Sequence, residues 1–217
     1  MMDEIISSIN NQQITKNMSN CKRCGLPIHV CICDHIKRLR ENTKTDIFID
    51  IIFHKNELLR NTNTGRLVEF IFPHKVKGYV WERKIPPSSL IEDMKDPNKK
   101  YFLLYPEQEE IHIETKEDNM DSNKEIHIVV LDGTWQEAAK ILKKSPYLQT
   151  MEKLIIKSDR QSQFQLRRNQ KTGNLCTSEA IAEALHTVGA TNAATALDEI
   201  TSLFLENYEK GRYGHGL

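Results

Sequence analysis

The sequence predicts an α/β domain with a largely parallel sheet, preceded by a small cysteine-rich knuckle. Strand-like and helix-like hydrophobic segments alternate along most of the chain, which is typical of a parallel sheet covered by helices on both faces. Four of the five cysteines fall within the stretch CKRCGLPIHVCIC. A chain of 217 residues can bury one sizeable core and carry a small appendage. We therefore expect a knuckle segment over residues 1–40 and a larger domain over residues 41–217.

Five segments have the composition of buried strands. Each is a short apolar run rich in β-branched or aromatic residues and bounded by turn residues. They are Thr45–Phe53, Gly78–Arg83, Lys100–Pro106, Glu125–Leu131 and the run KLIIK around Ile155. The alternation at Ile111–Ile113 suggests an additional short hairpin edge.

Helical spacing of apolar residues predicts the segments that cover the sheet. These are Glu57–Phe72, which Pro73 ends, Thr134–Lys144, Thr177–Val188 and Ala193–Tyr208. The stretch PPSSLIEDM predicts a loop that leads into one helical turn. In such a fold, ligands bind outside the carboxyl ends of the strands.

The clustered cysteines indicate a metal site. Cys21, Cys24, Cys31 and Cys33 have the spacing C-x2-C-x6-C-x-C, and no secretory signal precedes them. Four thiolates match the closed tetrahedral shell of structural zinc. Cys31 and Cys33 are separated by a single residue, closer than in common zinc ribbons, so an iron–sulfur cluster or a redox pair remains an alternative. His29 or His35 could replace one thiolate. Cys176 stands alone and is read as a small core residue.

Charge and hydropathy exclude some classes of protein and leave others open. No apolar run approaches the roughly 18 residues of a membrane span, and the start of the chain does not resemble a signal peptide. We expect a cytoplasmic protein with no membrane contact. The formal net charge is zero, but residues 107–125 carry a net of minus six and residues 133–172 a net of plus six. The basic region could attract phosphates.

The stretch LDGTWQEA joins a predicted strand to a predicted helix and contains an unexplained acid. Thr134 and Glu137 form the pattern of a capping box, and Gly133 eases a tight turn. Neither feature accounts for Asp132, which directly follows a buried strand, or for Trp135 in the first helical turn. The acid either bonds the loop amides or faces a ligand. No G-x-G-x-x-G or P-loop motif is present, so dinucleotide and nucleotide-phosphate readings lose support.

Taken together, the motifs resemble those of the DTW-domain family, named for D-x-T-W. The resemblance includes the four cysteines and runs over most of the chain. Its other motifs are N-T-G-R-L at Asn63–Leu67, W-x-R at Trp81–Arg83, L-L-Y-P at Leu103–Pro106, L-D-G-T-W at Leu131–Trp135, S-P-Y-L at Ser145–Leu148, L-R-R at Leu166–Arg168 and L-C-T-S-E-A at Leu175–Ala180. One departure is Cys176, where we expect serine more often.

The resemblance implies a fold and a reaction. Members of the family are aminocarboxypropyltransferases that act on RNA. It implies a SPOUT-like fold with a trefoil knot, S-adenosylmethionine as donor, and transfer of the 3-amino-3-carboxypropyl group to N3 of a uridine in tRNA. The reaction releases methylthioadenosine and needs no metal, which suits a structural zinc site.

The resemblance also assigns residues to roles. Asp132 is the expected catalytic residue, either as a general base or by orienting the amino group of the donor. The expected donor-binding residues lie in three loops: Leu104, Tyr105, Pro106, Leu131, Gly133, Thr134, Trp135, Leu175, Cys176, Thr177 and Ala180. Trp135 could instead stack on a base or pack in the core. RNA contact is expected from Arg167 and Arg168, with Arg66, Arg83, Lys143 and Lys144 as weaker candidates.

Three alternatives remain open at this stage. A SPOUT-type RNA methyltransferase would share the donor and the fold, and an aminocarboxypropyltransferase for ribosomal RNA would share the reaction. A zinc-knuckle adapter that binds RNA without catalysis would need no donor. The eight histidines are scattered and none pairs with a nucleophile, so hydrolase chemistry has little support. None of these readings requires an obligate protein partner.

Overall fold

Five parallel strands form the centre of the molecule. The computed structural model describes residues 20–106, 123–156, 162–163 and 175–213. The strands are β1 Phe48–Phe53, β2 Val76–Val80, β3 Lys99–Pro106, β4 Glu125–Asp132 and β5 Glu152–Ile156. They lie in the order β2-β1-β4-β3-β5, and every pairing is parallel. The predicted α/β class with a largely parallel sheet is confirmed.

Helices cover both faces of this sheet. In chain order they are α1 Cys33–Asn42, α2 Gly65–Ile71, α3 Ser88–Asp93, α4 Trp135–Lys144, α5 Pro146–Gln149, α6 Thr177–Thr187 and α7 Thr191–Tyr213. Helices α1, α2, α6 and α7 pack on the face that carries Ile51 and Ile128. Helices α3, α4 and α5 pack on the face that carries Ile52 and Val129. No helix in the described ranges is long and apolar enough to cross a membrane.

The prediction of one continuous helix over Glu57–Phe72 is wrong. The segment Glu57–Phe72 contains a 3-10 turn at Glu57–Leu59 and a separate helix that begins at Gly65. Between them, Asn63 and Thr64 are buried, and their side chains bond to distant parts of the chain. These tertiary bonds override the helical periodicity of the sequence.

Other boundaries differ less from the prediction. Strand β2 begins and ends earlier than the predicted Gly78–Arg83, and the last helix runs five residues beyond Tyr208 to Tyr213. The suggested hairpin edge at Ile111–Ile113 lies outside the described residues. The division at residue 40 falls within helix α1.

The cysteine-rich segment packs into the main core. Leu26 and Cys24 are fully buried, and both belong to the hydrophobic cluster that includes Ile51 and Phe204. Helix α7 approaches this segment closely at Gly211, where an added Cβ would stand 2.8 Å from Cγ of Pro27. The knuckle and the sheet therefore share one core.

This shared core gives a stability prediction. We expect Leu26→Ala to lower the free energy of unfolding by about 2–5 kcal/mol, because it leaves a cavity in a fully buried site. The matched change Ile28→Ala, at a side chain that is 63% exposed, should stay within about 0.5 kcal/mol of the original protein. Urea unfolding followed by circular dichroism measures both. If Leu26→Ala left the urea unfolding transition of the sheet unchanged, this result would contradict the shared core.

Candidate active site and metal centre

The pairing between strands β3 and β4 stops before either strand ends. The register between the two strands ends at Leu103 and Val129. Beyond that point β4 continues beside β1 as far as Asp132, whereas β3 continues beside β5 as far as Pro106. Such a separation at the carboxyl ends is where open α/β sheets bind their ligands.

Asp132 occupies the end of the central strand and is fully buried. Asn63 donates through Nδ2 to its Oδ2 at 2.6 Å, and the Thr177 hydroxyl donates to its Oδ1 at 2.6 Å. Both oxygens of the carboxylate therefore accept hydrogen bonds. The bonds tie β4 to the segment before α2 and to the start of α6, so Asp132 joins three distant parts of the chain.

The half-buried guanidinium of Arg66 lies near this carboxylate. Burial lowers the pKa of Arg66, and the negative charge of Asp132 offsets only part of that effect. Nη2 of Arg66 donates to the carbonyl of Arg60 at 2.9 Å. An added Cβ at Gly25, in the knuckle, would stand 3.2 Å from Nη1 of Arg66. This position favours an internal role for Arg66 over contact with a phosphate at the surface.

The start of helix α6 carries the third predicted loop. Glu179 is fully buried and accepts bonds from the backbone N–H of Cys176 at 2.8 Å, the hydroxyl of Ser162 at 2.6 Å and the N–H of Gln163 at 2.7 Å. Cys176 lies in the core, as predicted. Burial, and secondarily the charge of Glu179, raise the pKa of Cys176 to about 12, so its thiol stays neutral.

The loop after β4 forms the predicted capping box. The N–H and hydroxyl of Thr134 each donate to Oε2 of Glu137 at 2.9 Å, and the N–H of Glu137 donates to the Thr134 hydroxyl at 3.3 Å. Burial would raise the pKa of Glu137, but the bonds from Thr134 and Asn56 and the nearby His54 outweigh it and lower the pKa to about 2. Glu137 is therefore ionised.

The remaining donor-loop residues stand at the same edge of the sheet. Trp135 is 50% exposed, so the alternative of core packing is wrong. Pro106 ends β3 and Gly133 follows β4 directly. The half-buried members of the set are Leu104, Tyr105, Leu131, Gly133, Thr134, Leu175, Thr177 and Ala180. The fold thus places the three predicted loops at one edge of the sheet, and whether they bind a donor stays a prediction.

The candidate RNA-binding residues do not form a single patch among the described residues. Arg83 is exposed just after β2, at the same edge of the sheet as Asp132. Lys143 and Lys144 are exposed at the far end of α4, about 12 Å along the helix axis from Trp135. Arg167 and Arg168 lie outside the described residues.

The four clustered cysteines have the geometry of a metal centre. Sγ of Cys21 lies 3.6 Å from Sγ of Cys33, and Sγ of Cys24 lies 3.7 Å from Sγ of Cys31. All four sulfur atoms lie within 4.8 Å of one another. Zinc–sulfur bonds of about 2.3 Å in a tetrahedron place the sulfurs about 3.8 Å apart. The thiols therefore fit a tetrahedral metal ion. His35 instead bonds Glu199 through Nε2 at 2.6 Å.

Comparison with known proteins identifies the family. The model of the DTW domain matches residues 18–209, which is most of the chain. The chain belongs to the DTW-domain family. The matched range includes the cysteine cluster as well as the sheet, so both are parts of the matched DTW domain.

A curated relative carries a functional name. This DTW domain is 25% identical over 170 residues to tRNA-uridine aminocarboxypropyltransferase 2 of Drosophila melanogaster. The aligned part covers 77% of this chain and 65% of the relative, just under two thirds of its length. No solved structure matches the chain significantly.

Sequence reasoning missed two polar residues of the DTW domain site. Asn63 was part of the N-T-G-R-L motif but had no role, and its bond to Asp132 spans 69 positions. His54 directly follows β1, and its N–H donates to the carbonyl of Asp132 at 2.8 Å. The available signal was the location of His54 at the carboxyl end of a predicted strand, where functional side chains of α/β folds gather.

The cysteine geometry gives a prediction about metal content. We expect freshly purified protein to hold one zinc ion per chain by elemental analysis, and Cys24→Ser to lower the content because it removes one of four ligands. The matched change Cys176→Ser, at a buried cysteine outside the cluster, should leave the content unchanged. Equal metal content in the two variants would contradict the assignment of the cluster.

Proposed function

We propose that this DTW domain transfers the 3-amino-3-carboxypropyl group of S-adenosylmethionine to N3 of a uridine in tRNA. Family membership and the name of the fly relative support the reaction and the substrate. Asp132 carries the proposal, because its two hydrogen bonds hold the segment before α2 and the start of α6 against the end of β4, at the carboxyl edge of the sheet.

We place the donor where the pairing of β3 with β4 ends. It lies between the ends of β3 and β4, where half-buried apolar side chains such as Leu104 and Leu131 stand beside loop amides. S-adenosylmethionine supplies an activated carbon next to a sulfonium. The loops at Leu104–Pro106, Leu131–Trp135 and Leu175–Ala180 hold the donor so that its methionine side-chain carbon, and not its methyl group, faces the uridine.

Asp132 has a positioning role in this proposal. The fully buried carboxylate holds Asn63 and Thr177 in place, and through them the segment before α2 and the start of α6. Because both of its oxygens already accept hydrogen bonds, this proposal differs from the two expected roles, general base and direct contact with the donor's amino group. Asp132 acts here by positioning its neighbours.

The remaining parts of the proposal concern RNA, metal and topology. Trp135 and Arg83 are exposed at the active edge and can contact the RNA by stacking and by charge, and Arg167 and Arg168 extend the basic region. Zinc in the knuckle stabilises the fold without entering the reaction. The same proposal includes a SPOUT-like fold with a trefoil knot and a cytoplasmic location.

Nucleoside mass spectrometry tests the reaction directly. Unmodified tRNA is incubated with the purified protein and S-adenosylmethionine, and the mass gained by uridine is measured. An aminocarboxypropyl increment is the expected result. A methyl increment would replace the proposal with an RNA methyltransferase. If tRNA gained no mass but ribosomal RNA gained the aminocarboxypropyl increment, the substrate in the proposal would change to ribosomal RNA. If neither RNA gained mass, the result would favour a non-catalytic RNA-binding adapter.

The bonds to Asp132 give a second test. We expect Asp132→Asn to lower transfer at least roughly 100-fold, because Asn63 and Thr177 lose the carboxylate that holds both in place. The free energy of unfolding should fall by about 1–3 kcal/mol. The asparagine side chain has one acceptor oxygen in place of two, so one of the two donors loses its partner. Asp46→Asn, at an exposed side chain in the turn before β1, is the control. Turnover by Asp132→Asn equal to that of the control would remove Asp132 from the site.

Charge at the active edge gives a third test. Arg83→Glu should weaken tRNA binding and make it less dependent on salt, because one fewer cation meets a phosphate. Lys95→Glu reverses an exposed charge that precedes β3, at the opposite edge of the sheet. Filter binding at several salt concentrations should separate the two variants, and calorimetry should show unchanged donor binding in both. Equal RNA affinities would contradict a role for Arg83.

A further inference from the structure

Exposed cations gather at the carboxyl edge of the sheet on one side of Asp132. Lys55 follows β1, and Arg83 and Lys84 follow β2. In the strand order, β1 and β2 lie on one side of β4, whereas the segment Leu104–Pro106 lies on the other side, in β3. Neighbouring strands are about 4.8 Å apart, so the end of β2 stands about 10 Å from the end of β4. The two sides of Asp132 therefore differ in chemistry.

The first turn of the cysteine knuckle, residues 21–25, borders the cationic side of this edge. Its exposed charged side chains are Lys22 and Arg23. An added Cβ at Gly25 would stand 3.8 Å from the carbonyl oxygen of Asn61, which is exposed in the loop between β1 and α2. The knuckle turn and the loop after β1 are therefore neighbours, and their exposed sides form one surface.

The exposed cations of this surface have no acidic partner in the described part of the chain. We call them the edge cations: Lys22, Arg23, Lys55, Arg83 and Lys84. The same segments carry one exposed acid, Glu82. The guanidinium of Arg23 lies 5.7 Å from the ring centroid of Phe70, a contact that leaves its charge exposed. At the opposite edge, three lysines instead pair with acids of α3: Lys77, Lys95 and Lys99. Unpaired cations keep their attraction for an external anion.

Exposed apolar side chains lie among the edge cations. Leu59 is 54% exposed in the loop after β1, Ile85 is 66% exposed directly after β2 and its two cations, and Trp135 is 50% exposed at the start of α4. Apolar side chains grouped at a polar surface mark interaction sites. Folded RNA presents phosphates to cations and the faces of unstacked bases to apolar side chains. The combination fits an RNA partner.

We propose that the edge cations form one phosphate-binding surface, which runs from the knuckle turn across the ends of β1 and β2 and holds the RNA beside the donor site. The inference deepens the proposed function and takes its RNA substrate from it. The RNA lies on the β1 side of Asp132, and the donor lies on the β3 side. Phosphate contacts position the RNA without reading its sequence. The knuckle therefore binds substrate as well as completing the core.

Two matched pairs of substitutions test the contribution of the knuckle. Lys22→Gln with Arg23→Gln removes two charges from the knuckle turn and keeps all four cysteines. The control, Lys44→Gln with Lys124→Gln, removes two charges from exposed lysines that precede β1 and β4, at the opposite edge of the sheet. Elemental analysis and thermal melting compare zinc content and folding in the two variants, and calorimetry compares donor binding.

Filter binding of unmodified tRNA at several salt concentrations gives the decisive comparison. The Kd of the knuckle variant should rise on the order of tenfold at low salt. The slope of log Kd against log salt should fall by roughly 2, about one for each lost phosphate contact. The control should bind tRNA like the original protein. Equal affinities and equal salt slopes in the two variants would overturn the role of the knuckle.

A second measurement needs no substitution and decides the matter if the knuckle variant loses zinc. The original protein is lightly acetylated with and without tRNA, and the modified lysines are quantified by peptide mass spectrometry. Bound tRNA should protect Lys22, Lys55 and Lys84 and leave Lys44 and Lys124 reactive, because only the first three lie on the proposed surface. Equal protection of all five lysines would overturn the surface.

The outcomes separate this inference from the proposed function. Protection of the three edge lysines by tRNA that gains no mass would refute the transfer reaction and leave the binding surface standing. Transfer to tRNA without protection of these lysines would refute the surface and leave the reaction standing. If the original protein does not bind tRNA at all, the surface is refuted as well.

Discussion

The buried carboxylate of Asp132 is the constraint around which the site is arranged. A charge at the end of a central strand, removed from water, must be paired and hydrogen-bonded or its burial is costly. The partners come from segments far apart in the chain, Asn63 before α2 and Thr177 at the start of α6. Gly65 belongs to the same arrangement, because an added Cβ there would stand 2.9 Å from Oδ2 of Asp132. A single acid therefore contacts the starts of two helices.

The same charge links the active edge to the knuckle. Arg66 lies between Asp132 and the cysteine loop, where Gly25 has a φ of +78° and leaves room for the guanidinium. Left-handed backbone and close approach both favour glycine at that position. The knuckle thus contacts the site through the half-buried Arg66 as well as through the shared core. A metal ion bound by the four cysteines would order the loop against which Arg66 packs.

Features that depend on local pattern were predictable from the sequence, and those that depend on distant pairing were not. Alternating apolar segments predicted the parallel sheet, and cysteine spacing predicted the metal cluster that the geometry supports. Asp132 was recognised as unexplained because it follows a buried strand. The break between Glu57 and Gly65 was missed, since its cause is a bond from Asn63 across 69 positions. His54 was missed for the same reason, because its carboxylate partner lies on a helix far along the chain.

Two histidines of the sheet approach carboxylates, and both are buried. His127 lies within β4 and hydrogen-bonds Asp50 through Nδ1 at 2.6 Å, and only 1% of the residue is exposed. His54 lies one residue beyond β1, where its Nδ1 accepts from the N–H of Asn56 at 3.4 Å and stands 3.1 Å from Oε1 of Glu137, and 7% of the residue is exposed. A buried imidazole needs polar partners, because leaving its ring nitrogens without water or hydrogen bonds is costly. Each histidine therefore ties its strand to a polar group elsewhere in the chain.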